Sequence, residues 1–199
     1  QKGVKQRVTD ASYSPDISRN ITVADMITGW GVAQSIIHYY ELYHGDISGK
    51  RALIQGWGNV GAAAGYYLGE EGVLITGIID RNGGVVKPGG YNLEEVRKFF
   101  LDRKSNHLST PGILSHAEAE ERFWSAGAEI FIPAAASRLI SKAHLEVMTA
   151  NGLEVIGCGA NVPFADEEIF FGPVSGFADE TVSVIPDFIS NCGMARTFY

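Results

Sequence analysis

Apolar residues recur at helical spacing from Thr22 to His44, where Val23, Ile27, Val32, Ile36, Ile37, Tyr40 and Tyr43 fall largely three or four apart. Gly45 follows them, as a helix-ending glycine would. The period then changes. Lys50–Gln55 (KRALIQ) is a short apolar run that enters Gly56, and Asn59–Gly72 (NVGAAAGYYLGEEG) reads as a helix with one face of small residues. Val73–Asp80 (VLITGIID) is a second buried strand, closed by the turn Arg81–Gly84 (RNGG). Lys50 to Asp80 therefore reads as one βαβ unit of about thirty residues.

Downstream, Asn92 and Glu95 have capping-box spacing for a helix through about Lys104, and Ser115–Trp124 is a second polar helix. Ser137-Arg138 reads as a further helix start. Glu129–Pro133, Leu153–Gly157 and Val182–Pro186 are short apolar strands, each separated from the next by a helical segment or a glycine-bearing loop. Such alternation predicts a doubly wound α/β fold, a mostly parallel sheet with helices on both faces. Residues 1–20 read as a polar N-terminal segment, loose to about Pro15, and 21–199 as a single domain.

Composition narrows the function. Of 199 residues, 45% are hydrophobic and 20% charged, which excludes a disordered tail or a coiled coil. Glycine is over-represented at 24 residues, against about 7% in typical proteins, so tight turns and close backbone approaches are expected. A net charge of −7 argues against a surface that tracks nucleic-acid phosphates. The two cysteines, Cys158 and Cys192, form no CxxC pair, which points to a reducing compartment. No run approaches the roughly 18 apolar residues of a membrane span, and the N-terminus lacks an apolar signal core. These features predict a cytoplasmic protein with neither nucleic acid nor membrane as partner.

The sharpest chemical signal is GWGNVG, which sets Gly56, Gly58 and Gly61 in a GxGxxG pattern between a strand and a helix. The first glycine serves a tight turn, the second lets the backbone approach a pyrophosphate, and the third lets helix and strand pack closely. Asn59 and Val60 would offer N–H groups of the helix start to the anion. Asp80 lies about twenty residues beyond Gly61, the placing of an acid that accepts hydrogen bonds from an adenosine ribose. That favours NAD, although Asp80 could instead only organise its turn. Arg81 beside it could accommodate the 2′-phosphate of NADP, so both cofactors stay open. The fold implied is Rossmann-type.

Several stretches together resemble the nucleotide-binding, C-terminal domain of the amino-acid dehydrogenase family, which acts on glutamate, leucine, phenylalanine or valine. TGWGV (Thr28–Val32) resembles the family's TGxGV helix start, and IQGWGNVG (Ile54–Gly61) its phosphate loop. IFIPAA (Ile130–Ala135), GANVP (Gly159–Pro163) and VIPDFISNCG (Val184–Gly193) resemble its later cofactor-side motifs, in the right order. By position, the resemblance implies Thr28 and Asn191 near the nicotinamide carboxamide, Asn161 near its ribose, and the backbone of Ala134 and Ala135 along the cofactor. The stretch of about fifty residues between Asp80 and Pro133 resembles glutamate dehydrogenases more than the leucine type. Met194 and Phe198 stand where the family has a glycine and a substrate-recognising serine, a departure that bears on the substrate.

The family's reaction is reversible oxidative deamination of an amino acid to a 2-oxo acid and ammonia. It needs a lysine and an aspartate whose motifs belong to the family's N-terminal domain and do not occur in this chain. Lys50, Lys87 and Lys104 lack that context and read as solvated. The chain is thus expected to be the cofactor half of a longer enzyme, homo-oligomeric when complete, that binds nucleotide and turns nothing over alone. No catalytic and no metal-binding residue is assigned; His38 and His44, six apart, do not share a helix face as an i, i+4 pair does. A non-catalytic nucleotide-sensing or assembly module that kept the dinucleotide loop is the alternative.

Overall fold

Helix α1 (Val23–Tyr43) leads into β1 (Arg51–Gln55), α2 (Asn59–Glu70) and β2 (Leu74–Asp80), the βαβ unit expected from the sequence. The structure is a computed structural model, and it describes Val8 and residues 21–168 and 172–198, without the side chains of 197 and 198. Apart from Val8, the N-terminal segment lies outside the described residues. The chain continues through β3 (Gly83–Tyr91), α3 (Leu93–Leu101), α4 (His116–Phe123), β4 (Ile130–Pro133), α5 (Lys142–Ala150) and β5 (Val155–Gly157). It ends in α6 (Pro173–Thr181), β6 (Ser183–Ile185), and the short helices α7 (Asp187–Ser190) and α8 (Gly193–Phe198).

The six strands form one sheet in the order β3-β2-β1-β4-β5-β6. All neighbours pair in parallel except β2 with β3. Side chains alternate across a strand, so each strand feeds two cores. Ala52, Ile54, Ile130, Ile132 and Val155 face α1–α3, where Val32, Ile36, Tyr40, Ala63 and Leu68 meet them. Leu53, Phe131 and Ile156 face the opposite layer of Phe123, Trp124, Leu145 and Met148. This is the doubly wound α/β architecture, covered on both faces.

Three local departures from the sequence reading have physical causes. Gly83–Tyr91 is a strand, where the sequence reading placed only the turn Arg81–Gly84; β3 lies at the sheet edge, where Pro88, which lacks an N–H, is tolerated. Gly84 exchanges backbone hydrogen bonds with Leu114, at 3.1 and 2.9 Å, which fixes the loop before α4 onto that strand. Ser137-Arg138 starts no helix. Arg138 and Ile140 donate instead to the carbonyls of Val162 and Pro163, at 2.8 and 3.0 Å, and the helix begins after Ser141, whose Oγ accepts from the His144 amide. Lys50 is also not simply solvated: it is half-buried and 2.9 Å from Glu154, which accepts from the buried Tyr40 hydroxyl at 2.7 Å.

Asp166 is buried and accepts from the amides of Val174 and Ser175, both at 2.8 Å, at the N-terminus of α6. Burial pushes its carboxyl up, but those amides, the Ser175 hydroxyl and Arg138 bring it below the usual carboxylate range. A depressed folded-state value contributes stability above the unfolded-state value and loses it as pH falls through the folded one. Asp166→Asn should therefore flatten the loss of stability as pH falls below about 4, the ordinary aspartate value. Urea midpoints of parent and variant across that range check it; parallel pH profiles would remove Asp166 from the account.

Candidate functional site

The three loop glycines do different jobs. Gly56 has φ +94°, and a Cβ there would lie 2.6 Å from the backbone N and Cα of Ala135, at the end of β4. A Cβ on Gly61 would lie 2.0 Å from the carbonyl oxygen of Gly56. Both therefore exist to let backbone pack on backbone. Gly58 meets only the Asn106 carbonyl, 4.0 Å away, and faces open space. It is the N-cap of α2, so the amides of Asn59 and Val60 belong to a first turn with no partner inside the helix. That combination fits the approach of an anionic group.

Trp57, between the first two glycines, is 1% exposed, and its indole N–H donates to the Phe99 carbonyl at 3.1 Å. The Asn59 side chain turns away from the open side. It donates to Asp25 Oδ1 at 2.9 Å and accepts from Arg103 Nη1 at 3.3 Å. Asn59 can thus serve the open side of the loop through its backbone only.

Two cavities flank this loop outside the carboxyl ends of the strands. One, of about 650 Å³, is bounded by Gly56, Gly58, Asp80, Arg81, His107 and His116. The other, of about 730 Å³, is bounded by Thr28, Val60, Gly159, Asn161, Phe188 and Asn191. Ala134, Ala135 and Ala136 line both, so the two meet over the end of β4. β1 and β4 are neighbours from which the chain order runs outward on either side, the switch-point crevice of an open α/β sheet.

The second cavity is braced by polar contacts. Asn191 Nδ2 donates to Asn161 Oδ1 at 2.8 Å and to the Gly159 carbonyl at 3.3 Å. The buried Asp187 accepts from the amides of Val162 and Phe188, both at 2.8 Å, and Val162 is held at φ +47°. Thr28 arrives from inside α1 rather than from its start, because Thr22 and Asp25 form the N-terminal capping box. The glycines around it explain the close crossing: a Cβ on Gly29 would lie 2.4 Å from the Val60 carbonyl, and one on Gly193 2.4 Å from the Ile27 carbonyl. Cys158 is buried, which pushes its thiol up, so it is no nucleophile.

In the first cavity Asp80 is engaged by its own loop. Its Oδ1 accepts from the Asn82 amide at 2.8 Å and Oδ2 from the Leu108 amide at 2.6 Å. Arg81 Nη2 donates to His107 Nε2, and His116 Nδ1 lies 2.9 Å from the Asp80 carbonyl. The sequence reading missed Trp57, Asp187, His107 and His116. An apolar aromatic inside a glycine loop was the available signal for Trp57. The histidines gave none, because β3, α3 and the loops around them separate both from β2 in the sequence.

The match to known proteins agrees with this geometry. Residues 21–195 match the profile of the glutamate/leucine/phenylalanine/valine dehydrogenases. The chain is 30% identical over 175 residues to the NADP-specific glutamate dehydrogenase of Saccharolobus shibatae, covering 83% of this chain and 37% of that protein. It is 27% identical over 168 residues to the NAD-specific glutamate dehydrogenase A of Halobacterium salinarum, covering 84% of this chain and 35% of that one. The fold superposes on the hetero-hexameric glutamate dehydrogenase of Thermus thermophilus with a TM-score of 0.66 at 20% identity, covering 87% of this chain and 38% of that chain. On the L-tryptophan dehydrogenase of Nostoc punctiforme it does so with a TM-score of 0.56 at 23% identity, covering 91% and 48%. This chain thus spans less than half the length of those relatives, and it belongs to the glutamate/leucine/phenylalanine/valine dehydrogenase family.

Proposed function

We propose that residues 21–199 are the dinucleotide-binding domain of an NAD(P)-dependent amino-acid dehydrogenase of the glutamate type. The observation that carries this reading is the division of labour in the loop, where a Cβ on Gly56 or Gly61 would strike backbone and one on Gly58 would enter open space beside the crevice. Gly58, Asn59 and Val60 would receive the pyrophosphate through backbone and helix dipole. Asp80 and Arg81 stand at the adenosine end, while Thr28, Asn161 and Asn191 stand at the nicotinamide end, with the backbone of Ala134 and Ala135 between them. When bound, the nicotinamide supplies a hydride donor or acceptor. Thr28, Asn161 and Asn191 would hold and orient that ring: Asn191 is hydrogen-bonded to Asn161, and Asp187 accepts from the Val162 amide of the neighbouring loop.

The amino-acid substrate and the oxidative deamination belong to the whole enzyme, and the relatives' names favour glutamate; the whole enzyme is proposed to be a homo-oligomer, whereas the neighbour from Thermus thermophilus is a hetero-hexamer. Met194 stands where the family's second glycine stands, so the carboxylate-recognising end is the part of the substrate reading most open to change. No helix among the described residues is long and apolar enough to cross a membrane; a cytoplasmic location is part of the proposal. None of the described features favours the non-catalytic module.

Calorimetric titration of the chain with NADH and NADPH tests the proposal. Saturable, stoichiometric binding of at least one is expected. Binding of neither, by a chain shown to be folded, overturns it.

A further inference from the structure

The loop after β5 holds a strained residue to which the dinucleotide reading gives no task. We infer that Asp187 and Val162 form a strained latch that sets Asn161 against Asn191, which makes Asp187 a positioning residue for the nicotinamide end of the dinucleotide. The inference rests on the dinucleotide reading of the crevice and deepens it at that end.

Four non-glycine residues among those described have positive φ, and Val162, at +47°, is the β-branched one. Branching at Cβ makes that left-handed conformation costly, so it persists only where the surroundings over-determine it. Here the residue is held on both sides. Its amide donates to Asp187 Oδ2 at 2.8 Å, and its carbonyl accepts from the Arg138 amide at 2.8 Å. Arg138 is itself left-handed, at φ +62°, and its guanidinium donates to the carbonyls of Asp166 and Glu167 at 2.6 and 2.8 Å. Pro163 continues the clasp, its carbonyl accepting from the amides of Leu139 and Ile140, both at 3.0 Å.

Asp187 joins this clasp to the nicotinamide-side cavity. It is buried, its Oδ1 accepts from the Phe188 amide at 2.8 Å, and its carbonyl accepts from the Asn191 amide at 2.9 Å. One residue thereby holds both the peptide that follows Asn161 and the turn that ends in Asn191, whose carboxamide donates to Asn161 Oδ1 at 2.8 Å. Releasing the Val162 amide would leave the strain of that residue opposed from the Arg138 side alone. Asn161, directly before it in the chain, would move with the relaxing backbone, and the polar pair would lose its register over the cavity that Thr28 and Ala135 also line.

The test compares calorimetric titrations with NADH and with ADP-ribose, which lacks the nicotinamide. The parent chain is expected to bind NADH about fivefold or more tighter, the scale of a well-made hydrogen bond. Asp187→Asn keeps the size of the side chain and leaves one of the two amides without an acceptor, so it should bring that ratio to within about twofold of one. Val162→Asn puts a residue that tolerates the left-handed region in place of the β-branched one, and on that background Asp187→Asn should lower the ratio by no more than about twofold. An equal loss on both backgrounds, or ADP-ribose weakened as much as NADH, overturns the latch. Amide hydrogen exchange of the parent chain gives a reading that needs no variant to fold. At saturation NADH should protect the Val162 amide more than ADP-ribose does, because a ring held by the latched pair must in turn stabilise the latch. Equal protection overturns the inference. A parent ratio of one does so too and leaves the dinucleotide reading standing, whereas binding of neither ligand removes both.

Discussion

Gly56→Ala is expected to cost about 3 kcal/mol or more of folding stability, whereas Gly58→Ala should fold like the parent and lose about tenfold or more in dinucleotide affinity. The two positions are two residues apart and share a motif, yet their surroundings are opposite. At Gly56 a methyl group meets the Ala135 backbone at 2.6 Å, and neither partner is a flexible side-chain end that could swing aside. The +94° φ adds strain for any L residue. At Gly58 φ is −79°, which alanine adopts freely, and the methyl group enters open space. That space is where a pyrophosphate must come close to the amides of Asn59 and Val60, so the loss falls on binding. Losing one charge-assisted contact corresponds to about tenfold or more in affinity. Urea unfolding and calorimetric titration of both variants separate the two effects. Parent-like affinity in Gly58→Ala would remove the loop from the cofactor site, and parent-like stability in Gly56→Ala would refute the packing account.

The fold was legible where local chemistry and tertiary context agree. Strands buried on both faces read as continuous apolar runs, as in Leu53–Ile54 and Ile130–Ile132, and Asn92 and Ser115 cap their helices through Glu95 and Glu118. β3 was illegible because its glycines and proline serve an edge, which composition cannot tell from a turn. The Ser137-Arg138 helix start failed for a similar reason. A loop from far along the sequence, Val162–Phe164, supplies the backbone partners there. Within the site, the glycine pattern and the order of the later motifs carried the positions of Thr28, Ala134, Asn161 and Asn191 into one cavity. What those side chains touch was not legible. Asp80 shows the limit: its place at the end of β2 follows from spacing and its bond from the Asn82 amide is local, while its other partner, the Leu108 amide, depends on how residues 103–108 fold back.

Trp57→Ala is expected to cost about 3–5 kcal/mol, the range for emptying a large buried aromatic site, and to weaken dinucleotide binding even where the variant is folded. The stability term follows from a side chain that is 1% exposed and packs within the α1–α3 core. A Cβ on Gly65 would lie 3.0 Å from the indole, so the ring fills the space that this glycine leaves open. The binding term has a separate cause. The indole N–H bond to Phe99 pins the peptide between Gly56 and Gly58, and no other side chain lies between those two glycines. Trp57→Phe keeps most of the ring volume and drops that bond, so it should recover most of the stability and less of the affinity. Thermal unfolding gives the first quantity and titration well below the transition gives the second. If both recover in parallel, Trp57 is core alone and the loop is held by its glycines.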